Sequence, residues 1–241
     1  MENNMAWTLV TGGAKRMGAD VCRHLASLGY DIVVHYKSSS KEAVALAEEC
    51  QSFGVKAAVI QGDFSTLSQL NNFCERYLEQ FDQTENLINN VGNYFMQSAM
   101  QTEIEDWLNL FQTNLHAPFL LIKKLMPTLT QQKGSIINIG MTGLSSVRAN
   151  TYATSYFITK QALWHLTRSL AKEVASQGVR VNMVSPGILD IAVDLDVYVK
   201  SIPMQRPATC QEVSQVVAFL LDRKNSYITG QNIDVAGGVG L

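Results

Sequence analysis

The chain has 241 residues, 46% hydrophobic and 17% charged, long enough to bury most of its unfolded surface in one core and within the range of a single α/β domain. A net charge of -2 and a pI near 6.1 leave no electrostatic footprint for nucleic acid or an anionic membrane. No apolar stretch approaches the ~18 residues of a membrane span, and Met1-Glu2-Asn3-Asn4 cannot open a secretory signal, so a soluble, cytoplasmic protein is expected.

Short β-branched runs alternate with helix-length segments along the chain. Trp7 to Val10, Asp31 to Tyr36, Ala57 to Gln61, Asn86 to Asn90, Ser135 to Ile139, Arg180 to Val184 and Asn232 to Val235 read as strands. The alternation predicts one domain over residues 1–241, with a parallel sheet, right-handed crossovers and helices on both faces. Gly29, Gly54 and Gly178 each follow a helical pattern and precede a strand, where a left-handed cap is expected. Cys22, Cys50 and Cys74 fall at apolar helix positions, and neither the cysteines nor the histidines are spaced for a disulfide framework or a zinc site. The segment 188–206, after Pro186-Gly187, mixes apolar and acidic residues and is too long for an ordinary connection; such segments serve as lids or substrate loops.

The first strand runs into Thr11-Gly12-Gly13-Ala14-Lys15-Arg16-Met17-Gly18, which opens an amphipathic helix. Glycines at 12 and 18 let the backbone approach a pyrophosphate while free helix N–H groups point at it. Arg16 stands where this pattern normally has glycine, and its guanidinium offers a bidentate phosphate ligand. After the second strand such folds commonly place an acid on the adenosine ribose. This chain has His35-Tyr36-Lys37-Ser38 there, which together with Lys15 and Arg16 suits a 2′-phosphate and predicts NADP(H) over NAD(H). The plainer reading, a solvated turn with ordinary lysines, leaves Arg16 unexplained. Asp63, at the end of the third strand, either takes the adenine amino group or caps the next helix.

Tyr156-Phe157-Ile158-Thr159-Lys160 puts a phenol and an ammonium on one helical face. The spacing alone is weak evidence. Its position, on a helix just after the fifth strand, places the pair at the carboxyl ends of the strands, where ligands bind in open α/β sheets. Lowering a tyrosine pKa by three units needs about 4 kcal/mol, roughly what a charge 4 Å away supplies at an effective dielectric of 20. Lys160 is therefore expected to lower the pKa of Tyr156.

The joint order of the glycine loop, Asp63, Asn89-Asn90-Val91-Gly92, Asn114, Tyr156/Lys160 and Ser185-Pro186-Gly187 resembles that of a short-chain dehydrogenase/reductase over essentially the whole chain. The resemblance implies a Rossmann-type, doubly wound α/β domain. It implies Tyr156 as general acid, Lys160 on the nicotinamide ribose, and Asn114 as the anchor of a proton-relay water. Asn90, with Val91 and Gly92, would support the cofactor beside the fourth strand, and Gly12, Met17, Gly18, Pro186 and Gly187 would complete the NADP(H) contacts. Within the family the chain is similar to pteridine and dihydromonapterin reductases in Arg16, the run His35-Tyr36-Lys37-Ser38, the segment from Asn114 to Lys123 and the tail from Tyr227 to Gly238. This likeness implies that Tyr94 stacks on a pterin ring.

One departure stands out. The family carries a serine, or in pteridine reductases usually an aspartate, just after the fifth strand; here the alignment reaches Met141, or Gly143 when counted back from Tyr156. Neither side chain can donate a hydrogen bond. Thr142 is the nearest substitute as catalytic donor, with Met141 packing on a flat substrate as the rival account. The first expectation is an NADPH-dependent reductase of a pterin-like substrate. The alternatives are a 3-oxoacyl-thioester or other carbonyl reductase, favoured by Gly92, and a non-catalytic NADP(H)-binding sensor. Helical patterns from Leu108 to Leu129 and from Tyr152 to Ala175 carry more apolar surface than a sheet face covers, so a homo-oligomer, a tetramer, is expected.

Overall fold

The computed structural model describes residues 6–146, 148–192, 195 and 199–240. Seven strands form one parallel sheet in the order β3-β2-β1-β4-β5-β6-β7. They are β1 (Trp7–Val10), β2 (Asp31–Tyr36), β3 (Ala57–Gln61), β4 (Thr84–Asn89), β5 (Ser135–Ile139), β6 (Arg180–Pro186) and β7 (Asn232–Val235). Seven helices connect them among the described residues: α1 (Arg16–Ser27), α2 (Ser40–Gln51), α3 (Leu67–Gln80), α4 (Ile104–Phe111), α5 (Ala117–Gln132), α6 (Thr154–Val174) and α7 (Cys210–Leu221). The strand order reverses between β1 and β4, which opens a crevice at the carboxyl ends of those strands.

Alternation along the strands builds the two layers. Val10, Ile88 and Ile137 pack with α1, α2 and α7, whereas their neighbours Leu9, Leu87 and Ile136 pack with α3, α5 and α6. Each is fully buried, and each such side chain contributes about 2 kcal/mol. Cys22, Cys50 and Cys74 are buried free thiols on their helices, and Gly29, Gly54 and Gly178 take the left-handed caps.

Two differences from the sequence reading have local causes. β4 begins at Thr84, earlier than its apolar run, because its polar side chains are paired: Asn86 donates to the Thr8 hydroxyl at 3.1 Å, and Thr84 bonds the Tyr77 phenol at 3.0 Å. The pattern from Leu108 to Leu129 is not one helix. Gln112–His116 forms a π-turn between α4 and α5, because Pro118 has no N–H to give the Asn114 carbonyl. A buried ladder then fixes α6 on the sheet: Asn89 donates to Asn138, and Asn138 donates to Thr167, both at 2.8 Å.

Candidate active site

The turn after β1 is braced from three sides. The Asn90 amide donates to the carbonyls of Thr11 and Gly12 at 2.9 and 3.1 Å, and the Thr11 hydroxyl accepts the N–H groups of Asn90 and Val91. A Cβ on Gly18 would fall 2.7 Å from the Asn90 amide and on top of the Gly12 carbonyl, so only glycine lets α1 start this close to the turn. Met17 packs on the core beneath. Arg16 begins α1 at φ +51, in the left-handed region, with an exposed guanidinium that has no ion pair or hydrogen bond among the described residues.

His35 differs from the expected cationic role. It is buried, stacked on Phe64 with ring centroids 4.3 Å apart, and its Nδ1 accepts the Gly12 N–H at 2.9 Å while Nε2 faces the Gly62 carbonyl at 3.1 Å. Burial lowers its pKa to about 4, only partly countered by Gly62 and Asp63, so the ring is a neutral brace beneath the turn and not a phosphate ligand. Between pH 6.5 and 4 the unfolded chain takes a proton that the folded one refuses. This contribution is fully present above pH 6.5 and is lost as the pH falls, the loss reaching about 3 kcal/mol near pH 4. Urea unfolding of His35→Gln is expected to show a flatter acid limb than the parent chain; equal slopes would remove the assignment.

Lys37 and Ser38 are exposed just after β2, and Tyr36 is half-buried at its end. Lys37 is paired with Asp63 at 3.0 Å and donates to Ser65 at 2.9 Å. Asp63 also accepts the Ser65 N–H at 2.8 Å, and these partners hold its carboxyl below the usual range against the opposing effect of desolvation. Asp63 is not the helix cap; Thr66 caps α3. Lys15 is paired with Glu42 at 2.8 Å.

Across the crevice, Asn114 is fully buried within the π-turn. Its oxygen accepts the Asn93 N–H at 2.8 Å, and its amide donates to the Asn93 carbonyl at 2.9 Å and the Thr159 hydroxyl at 3.2 Å. A Cβ on Gly92 would lie 3.3 Å from the Asn114 oxygen and 3.4 Å from Lys160 Nζ, so Gly92, Asn114 and Lys160 meet at one point. Lys160 is 4% exposed and donates to the Ile139 carbonyl at 2.7 Å; desolvation lowers its pKa to about 8. Its ammonium lies 5.7 Å from the Tyr156 ring centroid. The Tyr156 pKa is raised, first by desolvation and then by Tyr94, contrary to the expected pull from Lys160. Desolvation keeps the phenol protonated. The Tyr94 ring stands edge-on to Tyr156 at 4.7 Å and is 52% exposed.

The loop after β5 also differs from expectation. The Thr142 hydroxyl donates to the Val239 carbonyl at 3.0 Å, which commits its only proton away from a substrate. Met141 packs beside Leu144, Leu163 and Met183. The Pro186 carbonyl accepts the Thr142 N–H at 3.2 Å, and the Gly187 N–H donates to Val235 at 2.9 Å. Thr11, Asn93 and Thr159 were not singled out from the sequence. A hydroxyl closing β1 and another directly before Lys160 were the only signals for two of them.

Residues 12–240 match the family described as Enoyl-(Acyl carrier protein) reductase. The chain is a short-chain dehydrogenase/reductase. It is 32% identical to the 3-oxoacyl-[acyl-carrier-protein] reductase FabG of Staphylococcus epidermidis, covering 96% of this chain and 97% of that protein. Among solved structures, a blue fluorescent protein from a metagenomic library in complex with NADPH superposes with a TM-score of 0.91 at 28% identity, over 100% of both chains. The acetoin dehydrogenase YohF of Salmonella typhimurium superposes with a TM-score of 0.88 at 28% identity, over 97% of this chain and 96% of that one. The enzyme thus has the family's doubly wound sheet, and none of its described helices is long and apolar enough to cross a membrane.

Proposed function

We propose that this chain is a cytoplasmic, NADPH-dependent reductase of 3-oxoacyl-thioester or related carbonyl substrates. The observation that carries the reading is the protonated, buried Tyr156 beside Gly92, Asn114 and Lys160, with Met141 where a pterin-reducing site would usually hold an acid. A carbonyl needs one proton on its oxygen, and a single phenol supplies it. The FabG relative and the acetoin dehydrogenase neighbour also have names that point to carbonyl chemistry, which supports this alternative over the pterin reading first expected.

The residues present fit a dinucleotide phosphate. Gly12 and Gly18 let the start of α1 close on the turn after β1, where a Cβ at either would meet Asn90, and Arg16, with no ion pair or hydrogen bond among the described residues, stands at that helix start. NADPH would supply the hydride. Arg16 and Lys37 would hold its 2′-phosphate, with Lys37 leaving Asp63 to do so, while Asn90, Val91, Pro186 and Gly187 would line the nicotinamide half. Tyr156 would give its proton to the substrate oxygen, Lys160 would hold the ribose hydroxyls, and Asn114 would position a water behind Lys160 to reload the phenol.

Tyr94 favours a second reading. Its half-exposed ring face could stack on a pterin, as the subgroup likeness implies. NADPH oxidation with an acetoacetyl thioester, a dihydropterin and a quinone separates these readings. Turnover is expected with the thioester. Turnover of the dihydropterin alone would favour the second reading, and NADPH binding without any turnover would make the chain a sensor.

The assembly proposed is a homotetramer. Ile104 and Leu108 on α4 and Phe119 on α5 remain exposed, more apolar surface than a monomer usually shows on neighbouring helices. Light scattering at micromolar concentration is expected to give four copies of the 26.6 kDa chain, and a monomeric mass would contradict it.

A further inference from the structure

The segment after β7, residues 236–240, touches both the β5–α6 loop and the segment 188–206 expected to serve as a substrate loop. On one side the Val239 carbonyl accepts the Thr142 hydroxyl at 3.0 Å, and the Gly240 carbonyl accepts Arg148 Nη2 at 3.4 Å. On the other, the Gly237 carbonyl accepts the Met204 N–H at 3.1 Å, and a Cβ on Gly238 would lie 3.0 Å from the Pro203 ring. Gly238 sits at φ +89, a conformation that excludes ordinary side chains, so glycine is needed there for both shape and clearance. The substrate segment is pinned independently at its base, where Asp190 donates to Ala208 and Ala208 donates to Ile188, each at 2.9 Å.

We propose that residues 236–240 form a strap that fixes the spacing between the β5–α6 loop and residues 202–204, and that Thr142 is a positioning residue of this strap. The strap spans the space that takes the acyl portion of a 3-oxoacyl substrate beyond its carbonyl. This inference rests on the proposed carbonyl-reductase reading. The base of the segment is held by these backbone bonds and by Leu189 packing on the core, whereas its far side, at Pro203 and Met204, meets the strap. Thr142 reaches the strap through a hydroxyl that a methyl cannot replace, and Gly238 reaches it through a contact with Pro203 that a larger side chain would force apart.

Thr142→Val, Thr142→Ser and Gly238→Val are measured for steady-state kinetics with an acetoacetyl thioester, NADPH binding, and amide hydrogen exchange at Met204. Thr142→Val and Gly238→Val are expected to raise KM about two- to tenfold, to leave kcat within about twofold and NADPH affinity unchanged, and to speed exchange at Met204. Thr142→Ser is expected to restore all three. A fall in kcat of about a hundredfold in Thr142→Val at constant KM, with Met204 exchange unchanged, would overturn the strap and make Thr142 a donor to the substrate. Faster exchange in a protein that turns over no thioester would keep the strap and remove the carbonyl-reductase reading.

Discussion

Tyr156→Phe is expected to lower kcat by about a thousandfold while NADPH binds almost normally. The substitution removes only the phenolic proton; the ring still packs edge-on to Tyr94 at 4.7 Å, and desolvation already keeps that proton on the oxygen near neutrality. Lys160→Ala is expected to reduce both turnover and cofactor affinity. It deletes a buried ammonium that bonds the Ile139 carbonyl and sits at the junction with Gly92 and Asn114. Because the two side chains act as a unit, the double variant should lose little more than the worse single one. Single-turnover kinetics and NADPH fluorescence titration check this, and more than a few per cent of activity in Tyr156→Phe would remove it as the proton donor.

Arg16→Gly is expected to have opposite effects on affinity and on stability. The left-handed backbone at φ +51 costs an arginine about 1 kcal/mol relative to glycine, so the substitution should raise the unfolding free energy of the free protein by about that amount. Loss of the charge-assisted phosphate contact should weaken NADPH about 10- to 100-fold and leave NADH nearly unchanged. Calorimetric titration with both dinucleotides, alongside urea unfolding, tests both halves. Unchanged NADPH affinity would leave Arg16 as strain without a purpose.

The sheet was legible because its strands are buried on both faces and carry β-branched runs, so Leu9/Val10 and Leu87/Ile88 announce both layers at once. Tyr156, Lys160 and the glycine turn were legible because each depends on spacing along one element. Roles that depend on tertiary partners were not. His35 reads as a cation until Phe64 and Gly12 enclose it, and Thr142 reads as a donor until residues 236–240, nearly a hundred positions later, take its proton. Tyr156 shows the same limit in energy, since burial raises its pKa where the spacing to Lys160 alone predicts that it is lowered.

The π-turn at Gln112–His116 makes α4 and α5 one rod with two phases. A single extra residue advances everything after it by about 100° relative to an unbroken α-helix. Apolar stripes counted from Ile104 therefore point the wrong way by Phe119, and alignments that slide a gap along this rod trade one surface for another at no visible cost in helicity. The site keeps Asn114 inward because the phase resets at that residue, so the register of this rod, more than its length, is what a redesigned or drifting sequence must preserve.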